Sequence, residues 1–177
     1  MKRSFAILTM LLVSLTGLFG QLSEMTSYDV LETPFRLNGV KQNAYTLSID
    51  ADQKRAIDSW VSLMNENGGE TFVIDTTQQL FLTEKVLLPV ISDQSVDVFF
   101  LPRYEGDNDG SFMTFWFRLP DGSFLSSRDD PERFHAISKY LVDFGLKVKQ
   151  DLRQEIHEEA VERANWEYPA TGKKGKG

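Results

Sequence analysis

Between Val40 and Ile49 the chain alternates, with Tyr45, Leu47 and Ile49 set against Ala44, Thr46 and Ser48. A period of two predicts a strand with one buried face. The period then changes. Ile57, Trp60, Val61 and Met64 fall at the spacing of one helical face. Asp50 or Asp52 can cap that helix, and Gly68-Gly69 ends it after about Asn65. Thr71–Thr76 and Leu80-Phe81-Leu82 are short apolar strands about a loop at 76–79. Residues 84–91 end near Pro89, which cannot donate to a ladder, so they are expected on an edge or in an extended crossing.

From Val96 to Phe144 the pattern is densest. Val96, Val98 and Phe100 alternate with Asp97, Phe99 and Leu101; the polar turn 105–110 follows, then the central strand 112–119. Asp121-Gly122 signals a hairpin, with Phe124-Leu125 returning. Asp129 or Asp130, then Pro131 and Glu132, open a second helix. Phe134, Ile137, Leu141, Phe144 and Val148 mark its buried face, and Leu152, Ile156, Ala160 and Ala164 continue at one apolar residue per turn. A helix from Pro131 to Asn165 would measure about 50 Å. That exceeds a domain diameter of roughly 35–40 Å, so the helix must protrude, bend or fray.

Hairpin-length turns exclude a parallel sheet, which needs long crossovers. The expected fold is therefore α+β: a two-layer sandwich, mainly antiparallel, with two helices on one face and a long C-terminal helix. Phe99, Phe115 and Phe117 are expected on one face, opposite Phe100, Phe112 and Trp116. Large aromatics on both faces require a second cover: the N-terminal segment, the end of the second helix, a partner or a ligand. Phe99, Phe115, Trp116 and Phe117 are accordingly the candidate binding residues.

The N-terminus changes the compartment expected. Lys2 and Arg3 precede an apolar run from Phe5 to Phe19, and Gly20-Gln21 offers a cleavage point. This fits a signal peptide over residues 1–20 and is too short for a comfortable membrane span. Residues 21–39 read as a flexible lead-in, although Asn38-Gly39 favours a tight hairpin that would pair Phe35–Leu37 with the next strand. Residues 40–165 form the single domain and 166–177 a disordered basic tail. Losing Lys2 and Arg3 takes the formal charge from −7 to −9, which argues against nucleic acid as a partner. The chain has no cysteine, excluding disulfides, thiolate metal sites and a cysteine nucleophile.

Candidate chemistry is sparse. Asp107 and Asp109 lie in a loop rich in oxygen ligands, as calcium sites are, but they lack the ligand spacing of an EF-hand and read as an ordinary turn. His135 and His157 are about 33 Å apart along one helix and cannot share a metal within one chain. Ser126 and Ser127 precede a helix cap and have no glycine-flanked elbow. Trp166 and Tyr168 could clamp a surface or pack back onto the domain. No P-loop, dinucleotide fingerprint or HExxH is present, so no cofactor is implied.

The signal ending in Gly20-Gln21, the Trp60 helix ending in Gly68-Gly69, and the Val96-Asp97-Val98, Phe115-Trp116-Phe117 and Phe124-Leu125-Ser126 segments resemble uncharacterised small exported proteins of Bacteroidota-type bacteria. The resemblance covers about residues 40–160 and implies export and fold, with no activity. The function expected is a non-enzymatic binding or assembly module of the cell envelope, periplasmic or secreted. Its partner would be an envelope protein, a small ligand or a second copy. The alternatives are a purely structural homo-oligomer and a hydrolase drawing on Asp97, Glu105 or Asp109.

Overall fold

The computed structural model describes residues 29–104 and 110–167. Six strands form one antiparallel sheet: β1 (Val30–Leu37), β2 (Val40–Ile49), β3 (Glu70–Asp75), β4 (Leu80–Val86), β5 (Val96–Tyr104) and β6 (Ser111–Arg118). Their order is β1-β2-β6-β5-β4-β3. Helix α1 (Gln53–Glu66) carries the chain from β2 across the sheet to β3, and α2 (Pro131–Glu167) follows β6. The helices lie side by side on one face, α1 against β3 to β6 and α2 against β1 and β2. The fold is α+β, with two layers.

The local signals act where the sequence places them. Asp52 caps α1, its Oδ1 accepting from the Arg55 N–H at 3.0 Å. Asp130 caps α2 in the same way, accepting from the Arg133 N–H at 2.9 Å just before Pro131. Asn38 and Gly39 both take positive φ, 50° and 82°, as the mirror-image turn between β1 and β2 requires. Gly69 has a different reason. A Cβ there would come within 2.6 Å of the Thr83 side chain and 2.9 Å of the Val86 Cβ, so only glycine lets the end of α1 sit this close to β4.

The core lies between the helices and the sheet. Trp60 of α1 is fully buried, with its ring 4.5 Å from Phe115, 5.0 Å from Phe144 and 6.3 Å from Phe100. Burying Trp60 and Phe115 stabilises the fold by roughly 2–3 kcal/mol each before packing is counted.

Three expectations about the sheet are corrected. Residues 30–37, assigned to the lead-in, form a full edge strand paired with β2 from Val30↔Leu47 to Leu37↔Val40. Pro34 fits there because an edge strand leaves some N–H positions unpaired. Residues 84–86 belong to the interior strand β4; Pro89 falls beyond its end, so the ladder loses nothing. The facing of the aromatics is also different. Phe99 pairs with Trp116, Phe100 with Phe115 and Val98 with Phe117. Directly opposed residues share a face, so Phe99 stands with Trp116, and Phe115 and Phe117 stand with Phe100. Alternation fixes facing within one strand, but it leaves open the register between strands.

Helix α2 is continuous over 37 residues, about 55 Å. Its buried face runs through Ile137, Leu141, Phe144 and Val148, with Leu152 half-buried. Residues 153–164 and Trp166 are all exposed. Of the three outcomes expected for an overlong helix, it protrudes. Trp166, assigned to the tail, is helical. The signal segment, Glu105, Asp107, Asp109, Tyr168 and the tail lysines lie outside the described residues.

Candidate functional site

Among the described residues the second sheet face carries no helix, yet its centre is closed. Trp116 is fully buried there, and Phe99, Leu101 and Leu37 are nearly so. Their cover comes from the chain itself. Phe35 of β1 reaches over Trp116 at 6.0 Å, and Phe124, after the Asp121-Gly122 turn, meets Phe99 at 6.1 Å. Two guanidinium groups extend the cover: Arg103 lies 4.5 Å over the Phe35 ring and Arg118 5.1 Å over Phe99. Long arginine stems shield apolar surface while their heads stay wet. Phe99 and Trp116 are thus part of this second cluster, and Phe115 and Phe117 belong to the main core. None of the four presents an exposed aromatic surface.

At the end of this face, Asp97, Arg118 and Lys85 form a polar brace. Asp97 Oδ2 accepts from Arg118 Nε at 3.1 Å and Nη2 at 2.7 Å, and Oδ1 accepts from the Lys85 backbone N–H at 3.0 Å. Both oxygens of Asp97 are engaged. The brace ties β6 to β5 and to a bulge in β4, where the register shifts between Thr83 and Val86 and Lys85 takes φ 56°. A non-glycine residue in this left-handed region is held there by its surroundings, at a cost of about 1–2 kcal/mol. An open cleft of about 550 Å³ lies here, lined by Glu84, Lys85, Asp97, Arg118 and Leu119 among others. Asp97 was the one candidate carboxylate visible from sequence that falls within the described residues. The cleft around it gave no sequence signal, because Lys85 occupies a position where glycine or asparagine would have announced a bulge.

The remaining candidates separate. His135 and His157 sit on the same continuous helix, too far apart to meet. Ser126 is a loop brace: its Oγ accepts from the Arg128 N–H at 3.1 Å. The Ser127 N–H donates to Glu32 of β1 at 2.9 Å. No group of three or more metal-ligating side chains occurs among the described residues. Burial pushes the Tyr140 hydroxyl up to about 12, with a smaller contribution from Glu66. Burial also raises Tyr45, helped by the charges of Glu32 and Asp130. Both hydroxyls are buried with no hydrogen-bond partner among the described residues. At Asp121, hydrogen bonds from the Ser123 hydroxyl and backbone hold the carboxyl below its usual range.

The third feature is the outer part of α2. Residues 153–167 extend about 22 Å past the last core contact at Leu152. Arg55 of α1 reaches Glu155 at the base. Beyond it Ile156 is 57 % exposed and Trp166 84 %. No helix among the described residues is long and apolar enough to cross a membrane.

No protein-family model, curated protein or solved structure matches this chain.

Proposed function

We propose that this protein is an exported, non-enzymatic binding or assembly module of the cell envelope, and that the outer part of α2 is its docking element. The observation that carries this reading is the mismatch between helix and core. Among the described residues the core contacts of α2 stop at Leu152, but the helix continues to Glu167. In proteins most helical stability comes from tertiary packing, which this segment lacks among the described residues. Like charges at Glu155 and Glu159, and at Glu158 and Glu162, oppose this segment further. Ile156, Ala160 and Ala164, one turn apart and all exposed, leave an apolar stripe for a partner to cover, with Val161 beside it. The export part of the proposal rests on the signal-like residues 1–20.

A photocrosslinking amino acid placed at Ile156 or Val161 tests the docking element in cells, with Lys54 on the exposed face of α1 as the control position. A discrete adduct from 156 or 161, absent from 54, is the expected result. Equal labelling from all three positions, or none, removes the reading. An adduct of twice the protein's own mass would identify the partner as a second copy.

A further inference from the structure

We infer that the cleft at the ends of β4, β5 and β6 binds a small zwitterion, a molecule carrying both an ammonium and a carboxylate group. Its volume, about 550 Å³, lies within the range of small-molecule sites. Its charges are mixed and locally balanced. Lys85 and Arg118 are cationic, Asp97 and Glu84 anionic, so neither a bare anion nor a bare cation is favoured over a molecule with both.

Three observations give the site its polarity. Asp97 takes only one edge of the Arg118 guanidinium, through Nε and Nη2. The Nη1 group has no partner among the described residues, and the guanidinium lies over the ring of Phe99 at 5.1 Å. Next, Lys85 is held by the bulge and by the bond from its N–H to Asp97, and its ammonium forms no ion pair among the described residues. Arg118, oriented by Asp97, and Lys85, on the bulge whose backbone Asp97 holds, line the same cleft and offer a carboxylate two cationic donors. Finally, Glu84 stands directly across the strand pair from Glu70. Opposed like charges on neighbouring strands are destabilising, and a ligand ammonium at Glu84 would relieve that repulsion. The carboxylate therefore goes to Lys85 and Arg118, and the ammonium to Glu84. The source could be a free amino acid or the ends of a short peptide.

Proton–nitrogen NMR on the full chain tests this, with glycine and glycylglycine as zwitterions and acetate and methylammonium as single-charge controls. Saturable shifts are expected at the Lys85 and Asp97 amides and the Arg118 Nε–H, with a dissociation constant on the order of millimolar. Each control should bind about tenfold more weakly. Tighter binding of glycine would indicate free amino acids; tighter binding of glycylglycine would indicate peptide ends. Lys85→Gly removes the ammonium and relieves the left-handed backbone, so it should fold at least as well as the parent and lose the shifts. The inference is overturned if neither zwitterion saturates, if acetate binds as tightly as glycine, or if folded Lys85→Gly binds undiminished.

Discussion

The two faces of the sheet bury aromatics equally and by different means. On one face, Trp60, Phe100, Phe115 and Phe117 lie beneath two helices. On the other, Trp116 is equally inaccessible, but the cluster it belongs to is covered by side chains: Phe35, itself under Arg103, lies on Trp116, and Phe124 and Arg118 lie on Phe99. Burial as a percentage is the same; the depth of cover is not. A side chain roofed by rigid elements leaves a cavity when it is cut back. One roofed by mobile side chains allows partial collapse, and the cost of truncation depends on how far a site collapses.

Trp60→Ala should therefore cost most, about 4–5 kcal/mol in urea unfolding. Trp116→Ala should cost less, about 2–3 kcal/mol, because Phe35, Phe124 and the arginines can settle inward. Equal losses at the two tryptophans would break the comparison. Solution mass by light scattering on Trp116→Ala sharpens it, since a change in mass would make this face an interface between copies. Arg103→Ala should cost about 1 kcal/mol, from lost cover and the lost cation–π contact with Phe35. The smallest effect is expected at Tyr45 and Tyr140. Replacing either by phenylalanine should leave stability unchanged or raise it slightly at neutral pH, since the hydroxyl has no partner to lose and a buried polar atom is removed.

The same two residues predict the alkaline limit. Their hydroxyls ionise later in the folded chain than in the unfolded chain, whose tyrosines titrate near 10. Between pH 10 and 12 the unfolded state has lost protons that the folded state keeps. The stabilisation is thus complete below pH 10 and declines as pH rises through the folded value. Circular dichroism from pH 9 to 12 should show this decline in the parent and a smaller one in Tyr140→Phe.

Much of the fold is legible in short-range signals. Asp52, Asp130-Pro131, Asn38-Gly39 and Asp121-Gly122 each act through bonds to residues two or three positions away, so a single sequence exposes them. What it hides is set over longer distances. The pairing of Phe99 with Trp116 depends on the register between β5 and β6, and alternation alone gave the opposite facing. Strand β1 lacks a clear period because an edge strand with Pro34 is only partly buried. The cleft was hidden most fully. Asp97 was visible as one carboxylate among many, but its bonds to Lys85 and Arg118 span 12 and 21 residues. Lys85 itself gives no hint of a left-handed backbone.

The protruding helix also gives the molecule a built-in optical probe. The chain has three tryptophans, and they occupy three separate environments: Trp60 in the core, Trp116 beneath the second face, and Trp166 at the tip of α2. Only the last meets solvent freely. Acrylamide should quench its red-shifted emission and spare the other two. A blue shift confined to that quenchable fraction would report occupancy of the helix tip without any label.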